Sequence, residues 1–189
     1  MIHSHLTVAD ASAWREWLNE NEHTSDGVWL TLAKKDTSTP TTLTYTQALE
    51  EALCSGWIDG RKNKIDARTY SQHFTPRRAR SMWSERNIEI VGALTAAGRM
   101  RERGHAEVAL AQTDGRWDRA YAGPASIEVH DDLRCALRTA PDAEAAFNAL
   151  TSGARYRILL DVTTARTRGL RANRIARHLA KLATPAQVT

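Results

Sequence analysis

Two cysteines in 189 residues are too few for a disulfide framework, and Cys54 and Cys135 show no CxxC spacing. Each stands in an apolar helical context, so both are expected as buried free thiols in a reducing compartment. No apolar run approaches the ~20 residues that cross a bilayer, and no membrane insertion is expected. The opening MIHSHLTVADASAW has neither a basic n-region nor a continuous apolar h-region, which argues against a signal peptide. A cytoplasmic location follows as the expectation. Catalytic signatures are missing too. There is no Gly-rich phosphate loop, no HExxH and no GxSxG. The seven histidines are scattered, so no metal and no cofactor is expected. Acid–base chemistry would have to be assembled across the fold, and an enzyme is the less favoured reading.

What is present is ordinary in amount and uneven in arrangement. Hydrophobic residues make up 42% and charged residues 25%, values typical of a globular domain. The net charge of +4 hides alternation. Residues 1–60 carry three basic against nine acidic side chains, and residues 61–103 carry eleven against four. Residues 104–150 hold four against eight, and residues 151–189 hold eight against one. Such blocks point to basic surfaces aimed at an anionic partner, or to acidic and basic segments paired with each other.

Periodicity gives a mixed chain. Thr7 is a candidate cap for a helix carrying Trp14, Trp17 and Leu18. VWLTLAKK, from Val28, reads as a buried strand. Thr44 caps a second helix that Gly56 ends. Two strands then flank the turn DART and form a hairpin, with Pro76 closing the second. Period-2 reading puts Trp57, Asp59, Arg61, Asn63 and Ile65 on one face. The hairpin turns Asp59 toward the arginines that follow Phe74-Thr75-Pro76.

Helices dominate the rest. Ser84 starts one that ends at Gly98, and a short one ends at Asp114-Gly115. Asp131 or Asp132 caps the next, Pro141 opens another as a first-turn proline, and Ser152 precedes a third. Gly169 separates that one from the last helix. There, Ala172, Ile175, Ala176, Leu179 and Leu182 fill one arc, and Arg171, Arg174, Arg177, His178 and Lys181 fill the opposite, solvated one. The fold class is α+β: a small antiparallel sheet with packed helices in the first half, and a helical second half. Residues 1–115 form the α+β region, and residues 116–189 form a helical region packed on it as one compact unit.

The stretch from Trp57 to Asn87 gathers the residues best suited to bind a ligand. Arginine forks grip phosphate or carboxylate, and an indole offers a flat face for stacking. Trp57, Asp59, Arg61, Phe74, Arg77, Arg78, Trp83 and Asn87 are the candidate ligand-binding set. The bland alternative makes the tryptophans core residues and pairs the arginines with the acidic N-terminal segment.

In the order ALCSGWIDGRKNKID, YSQHFTPRRARSMWSERN, GRM and DGRWDRAY, these motifs resemble the YdeI/OmpD-associated family, whose members are labelled bacteriocin-protection proteins. IEVHDDLRCALRTAPDAEAAFNAL resembles the family's C-terminal helical region, and the resemblance spans roughly residues 8–183. The segment RILLDVTTARTRGLRANRI departs from the family's pattern there, a tryptophan with a lysine-rich, Glu-containing stretch. The resemblance implies a stress or antimicrobial-resistance role and an association with an outer-membrane porin. It brings no catalytic mechanism. The leading expectation is a cytoplasmic protection protein that binds a small-molecule or peptide ligand beside Trp57 and Trp83. The alternative is a nucleic-acid-binding module using basic surfaces 61–103 and 171–181. A further alternative is an enzyme with Asp59 as the acid–base group and Arg61 or Arg77 as an anion clamp.

Overall fold

The computed structural model describes residues 5–184. They divide into two compact units: residues up to Trp83 with Asn87–Asp118, and Ser84–Arg86 with the residues from Arg119 onward. No helix among the described residues is long and apolar enough to cross a membrane.

The first unit carries strands β1 (His5–Leu6), β2 (Val28–Ala33), β3 (Trp57–Lys64) and β4 (Thr69–Pro76). It also holds helices α1 (Ala11–Asn21), α2 (Tyr45–Cys54), α4 (Glu102–Thr113) and all but the first two residues of α3 (Glu85–Ala96). The sheet order is β1-β2-β4-β3. β2 and β3 each run antiparallel to β4, and β1 adds a short parallel edge beside β2. The sheet's inner residues Val28, Leu30, Leu32 and Phe74 pack with Trp14, Leu18, Ala48 and Ala52 of the helices.

Local chemistry sets the boundaries. Thr44 and Gln47 form a reciprocal capping box at the start of α2, satisfying two otherwise unpaired amides. Gly56 turns the chain from α2 into β3 at φ +68°, a conformation that favours glycine. The Asp66 carboxylate accepts from the amides of Arg68 and Thr69, each at 2.7 Å, and so fixes the hairpin turn. Gly104 lets α4 approach the end of α2, since a Cβ there would lie 2.2 Å from the Cys54 carbonyl oxygen. Asp10, not Thr7, caps α1, its side chain accepting from Ser12 and Ala13. Thr7 instead donates to the Thr31 hydroxyl.

One buried carboxylate ties the helical layer together. Glu51 of α2 is 2% exposed. It receives Arg15 of α1 at 2.8 and 3.0 Å, Arg99 at 2.8 Å and Arg101 at 3.1 Å. Arg101 also donates to the Ser55 hydroxyl and to the Glu51 carbonyl. Burial raises the carboxyl's pKa, but hydrogen bonds from Arg15, Arg99 and Arg101 outweigh it and hold the value at about 2.

The second unit contains α5 (Asp131–Arg138), α6 (Pro141–Ala149), α7 (Ser152–Thr163) and α8 (Arg168–Ala183). Its core joins Leu133, Leu137, Phe147, Leu159, Val162 and Ile175. Pro141 opens α6 as its first residue. Thr151 and Thr167 cap α7 and α8 with their hydroxyls. Two boundaries differ from expectation. His130 caps α5, its Nδ1 accepting from the Asp132 amide, because both aspartates already lie inside the helix. Gly169 likewise falls within the first turn of α8 rather than before it. Cys135 is exposed on α5, whereas Cys54 is buried.

The basic arc of α8 is not simply solvated. Asp161 of α7 meets Arg174 at 3.3 Å, Arg177 at 2.7 Å and His178 at 2.8 Å, while Arg171 meets Asp132 at 2.8 Å. These pairs rotate the helix so that Ile175 is buried, Leu179 and Leu182 are half-buried, and Ala172 and Ala176 are exposed.

Two measurements check this account. Because the folded pKa of Glu51 lies below its unfolded value near 4.3, its stabilisation is complete above about pH 5 and fades as pH falls toward 2. Glu51→Gln is expected to cost about 3–5 kcal/mol at neutral pH and to flatten the acid limb of a pH–stability curve. In the second unit, Ile175→Ala should cost about 2–5 kcal/mol in denaturant unfolding, with Leu179→Ala costing less. The reverse ranking would contradict the observed rotation of α8.

Candidate functional site

The sequence-predicted residues fall into two clusters. Trp57, wholly buried, presents its ring edge-on to Trp14 at 6.5 Å and Trp17 at 5.8 Å. Phe74, also wholly buried, lies 5.7 Å from Trp14. The second cluster centres on Trp83, 1% exposed, and Arg77, 4% exposed. The Arg77 guanidinium lies 3.4 Å over the Trp83 ring, and its Nη1 donates to the Met82 carbonyl at 3.2 Å. Trp117 closes the group at 4.9 Å from Trp83. Asn87 is buried, and Arg78 and Arg61 are exposed. The Trp57 and Trp83 indole N–H groups are buried with no acceptor among the described residues.

Asp59 does not face the arginines that follow Pro76. Its carboxylate accepts from the Tyr45 hydroxyl at 3.0 Å. Pairing with the core residue Phe74 puts Asp59 on the inner face of β3, where Tyr45 packs. A β-bulge follows, since Lys62 pairs with Gln72. The extra residue returns Lys62, not Arg61, to the Asp59 face. The shared face of Trp57, Asp59 and Arg61 expected from strict alternation is therefore broken after Asp59. Lys62 instead sets its ammonium 3.9 Å above the Tyr70 ring.

Sequence periodicity did not single out the open concavities. In the first unit, a cavity of about 610 Å³ lies among the end of β2, the start of α2 and Tyr70. In the second unit, a cleft of about 460 Å³ is lined by Glu85, Ala120, Ile127, Glu128, His130 and Asp131 among others. Glu85 and Glu128 are exposed there and have no ion-pair partner among the described residues. Asp131 shares its charge with Arg134, which also donates to the Val129 carbonyl. The His130 Nδ1 accepts from the Asp132 amide. The cleft therefore has a mixed polar and apolar wall with an excess of negative charge. No cluster of three metal-ligating side chains occurs among the described residues.

Two family comparisons bear on these units. A domain of unknown function (DUF8412) matches residues 6–107, more than half of the chain. The family described as Bacteriocin-protection, YdeI or OmpD-Associated matches residues 126–184. The resemblance expected over residues 8–183 is thus found in the C-terminal part, while the motifs GWIDG and FTPRR fall within the other match. No curated protein and no solved structure matches the chain.

The geometry around Asp59 separates packing from polar contact. Trp57→Ala should cost about 3–5 kcal/mol in denaturant unfolding. Asp59→Asn should cost no more than about 1.5 kcal/mol, because it alters one half-exposed hydrogen bond. Equal losses would show that Asp59 is held by more than Tyr45.

Proposed function

The chain belongs to the DUF8412 family, and from that membership together with the match of residues 126–184 we propose that it is a cytoplasmic protein of bacteriocin or antimicrobial-peptide protection. It acts by binding a small or peptidic ligand rather than by turnover. The supporting observation is the cleft of the second unit. Residues 126–131, Arg134 and Thr163 of its wall belong to the segment that matches the bacteriocin-protection family. A volume of about 460 Å³ suits one or two side chains of a peptide or a small molecule. Glu85 and Glu128 on the rim complement the lysines and arginines of a cationic peptide, and Ile127 and Val129 offer apolar contact. Such a peptide meets opposite charge here, which the arginine-rich segments of the chain do not offer.

Nucleic acid remains the second reading, favoured by the hairpin end, where Arg61, Lys62, Lys64 and Arg68 are all exposed. Binding through it would fall steeply with salt. Against it, Arg99, Arg101, Arg171, Arg174 and Arg177, counted in the basic segments, are engaged by carboxylates.

A survival assay decides between them. Cells expressing the protein are challenged with a cationic bacteriocin, and the double variant Glu85→Gln/Glu128→Gln is compared at equal protein level. Survival is expected to drop to that of cells lacking the protein. Undiminished protection, or loss only with Arg61→Glu/Lys64→Glu, would remove the cleft from the account.

A further inference from the structure

Protection is assigned above to the second unit, and nothing in that assignment uses the cavity of the first. We infer that this cavity, about 610 Å³ among the end of β2, the first turn of α2 and Tyr70, binds a small oxyanion group, a phosphate or carboxylate borne by a small molecule. Tyr70 supplies the decisive observation. It lines the cavity and is only 8% exposed, yet its hydroxyl has no hydrogen-bond partner among the described residues. The hydroxyl is not sealed in the core and can be reached from outside. Burial pushes the phenol's pKa up, so the hydroxyl keeps its proton and serves as a donor. The Lys62 ammonium 3.9 Å above the ring adds positive charge beside it.

Lysines stand on the rest of the wall. Lys35 is exposed on the rim with no acidic partner among the described residues. Lys34 is committed to the hairpin turn, its ammonium donating to the Asp66 and Ala67 carbonyls and interacting with the Asp66 carboxylate. Thr44 and Thr46 place the start of α2 on the wall, where the helix dipole favours an anion. The Thr37 and Thr42 hydroxyls are already committed to the Arg68 and Ala9 carbonyls. The unspent donors are therefore Tyr70, Thr46 and Lys35. Asp36 is the one acidic lining residue. The uncommitted groups are two hydroxyls and one ammonium, which an oxyanion answers and a cation does not.

Isothermal titration of the whole protein with inorganic pyrophosphate, and in a second arm with citrate, tests the site against sodium chloride at matched ionic strength. Saturable one-to-one binding is expected. The stronger arm identifies whether phosphate or carboxylate is the group preferred. Tyr70→Phe keeps the ring and its packing and should weaken binding about tenfold, the effect of losing one hydrogen bond to a charged acceptor. Lys35→Glu should abolish it, while Lys181→Glu, the same charge change on α8, should not. Absence of saturable binding in both arms overturns the inference, and so does a Tyr70→Phe variant that binds like the wild type. Neither result touches protection by the second unit, which the survival assay reads separately.

Discussion

Burying one carboxylate among three guanidinium groups is the constraint on which the first unit turns. Glu51 sits on α2, and its arginines come from α1, from the segment after α3, and from the residue that precedes α4. A lone buried carboxylate is unstable, and a lone buried guanidinium equally so. Once α2 packs on the sheet, those four segments must converge or leave charge unanswered. The convergence fixes the end of α2, where Gly56 turns the chain and where Gly104 allows α4 against the Cys54 carbonyl. From that turn β3 starts with Trp57 in the core. The position of Asp59 against Tyr45 is thus set in α2, the element before it.

A similar logic orders the second unit with weaker, more exposed groups. Asp161 gathers Arg174, Arg177 and His178, and Asp132 holds Arg171. The charge alternation along the chain resolves in both units into pairing between helices. What remains unpaired is informative for the same reason. The exposed hairpin cations and the rim carboxylates Glu85 and Glu128 are places where charge was not spent on the fold.

Much of the architecture was legible because it rests on neighbours in sequence. The Thr44 cap with Gln47, the Gly56 stop, the Asp66 turn and Pro141 at a first turn all act within a few residues. The α+β class followed from period-2 and period-3.6 patterns that agree with the structure. The failures share a cause in distance or in one-residue irregularity. Nothing near Glu51 announces Arg99 or Arg101, which lie 48 and 50 residues away. The bulge after Asp59 shifts Arg61 off the expected face, and no residue pattern in GWIDGRKNKID marks it beyond Gly60. On α8 the alanines counted toward an apolar face bury little area, so pairing with Asp161 decides the rotation and Ile175 takes the inner place. Of the candidate residues, Arg77 and Trp83 meet in one aromatic cluster, while Trp57 packs in another against Trp14 and Trp17. The open clefts escaped because their walls are loops and helix starts, where periodicity carries no signal.

Protection by ligand capture in the acidic cleft is the central claim, and it has a spatial signature. Amide resonances of the isotope-labelled protein, followed while a cationic bacteriocin peptide is added, report where the peptide sits. Shifts concentrated at Glu85, Ala120, Ala122 and Ile127–Arg134, and suppressed by added salt, are the predicted result. Shifts concentrated instead on the basic hairpin around residues 61–68, or no saturable shifts at all, would contradict it.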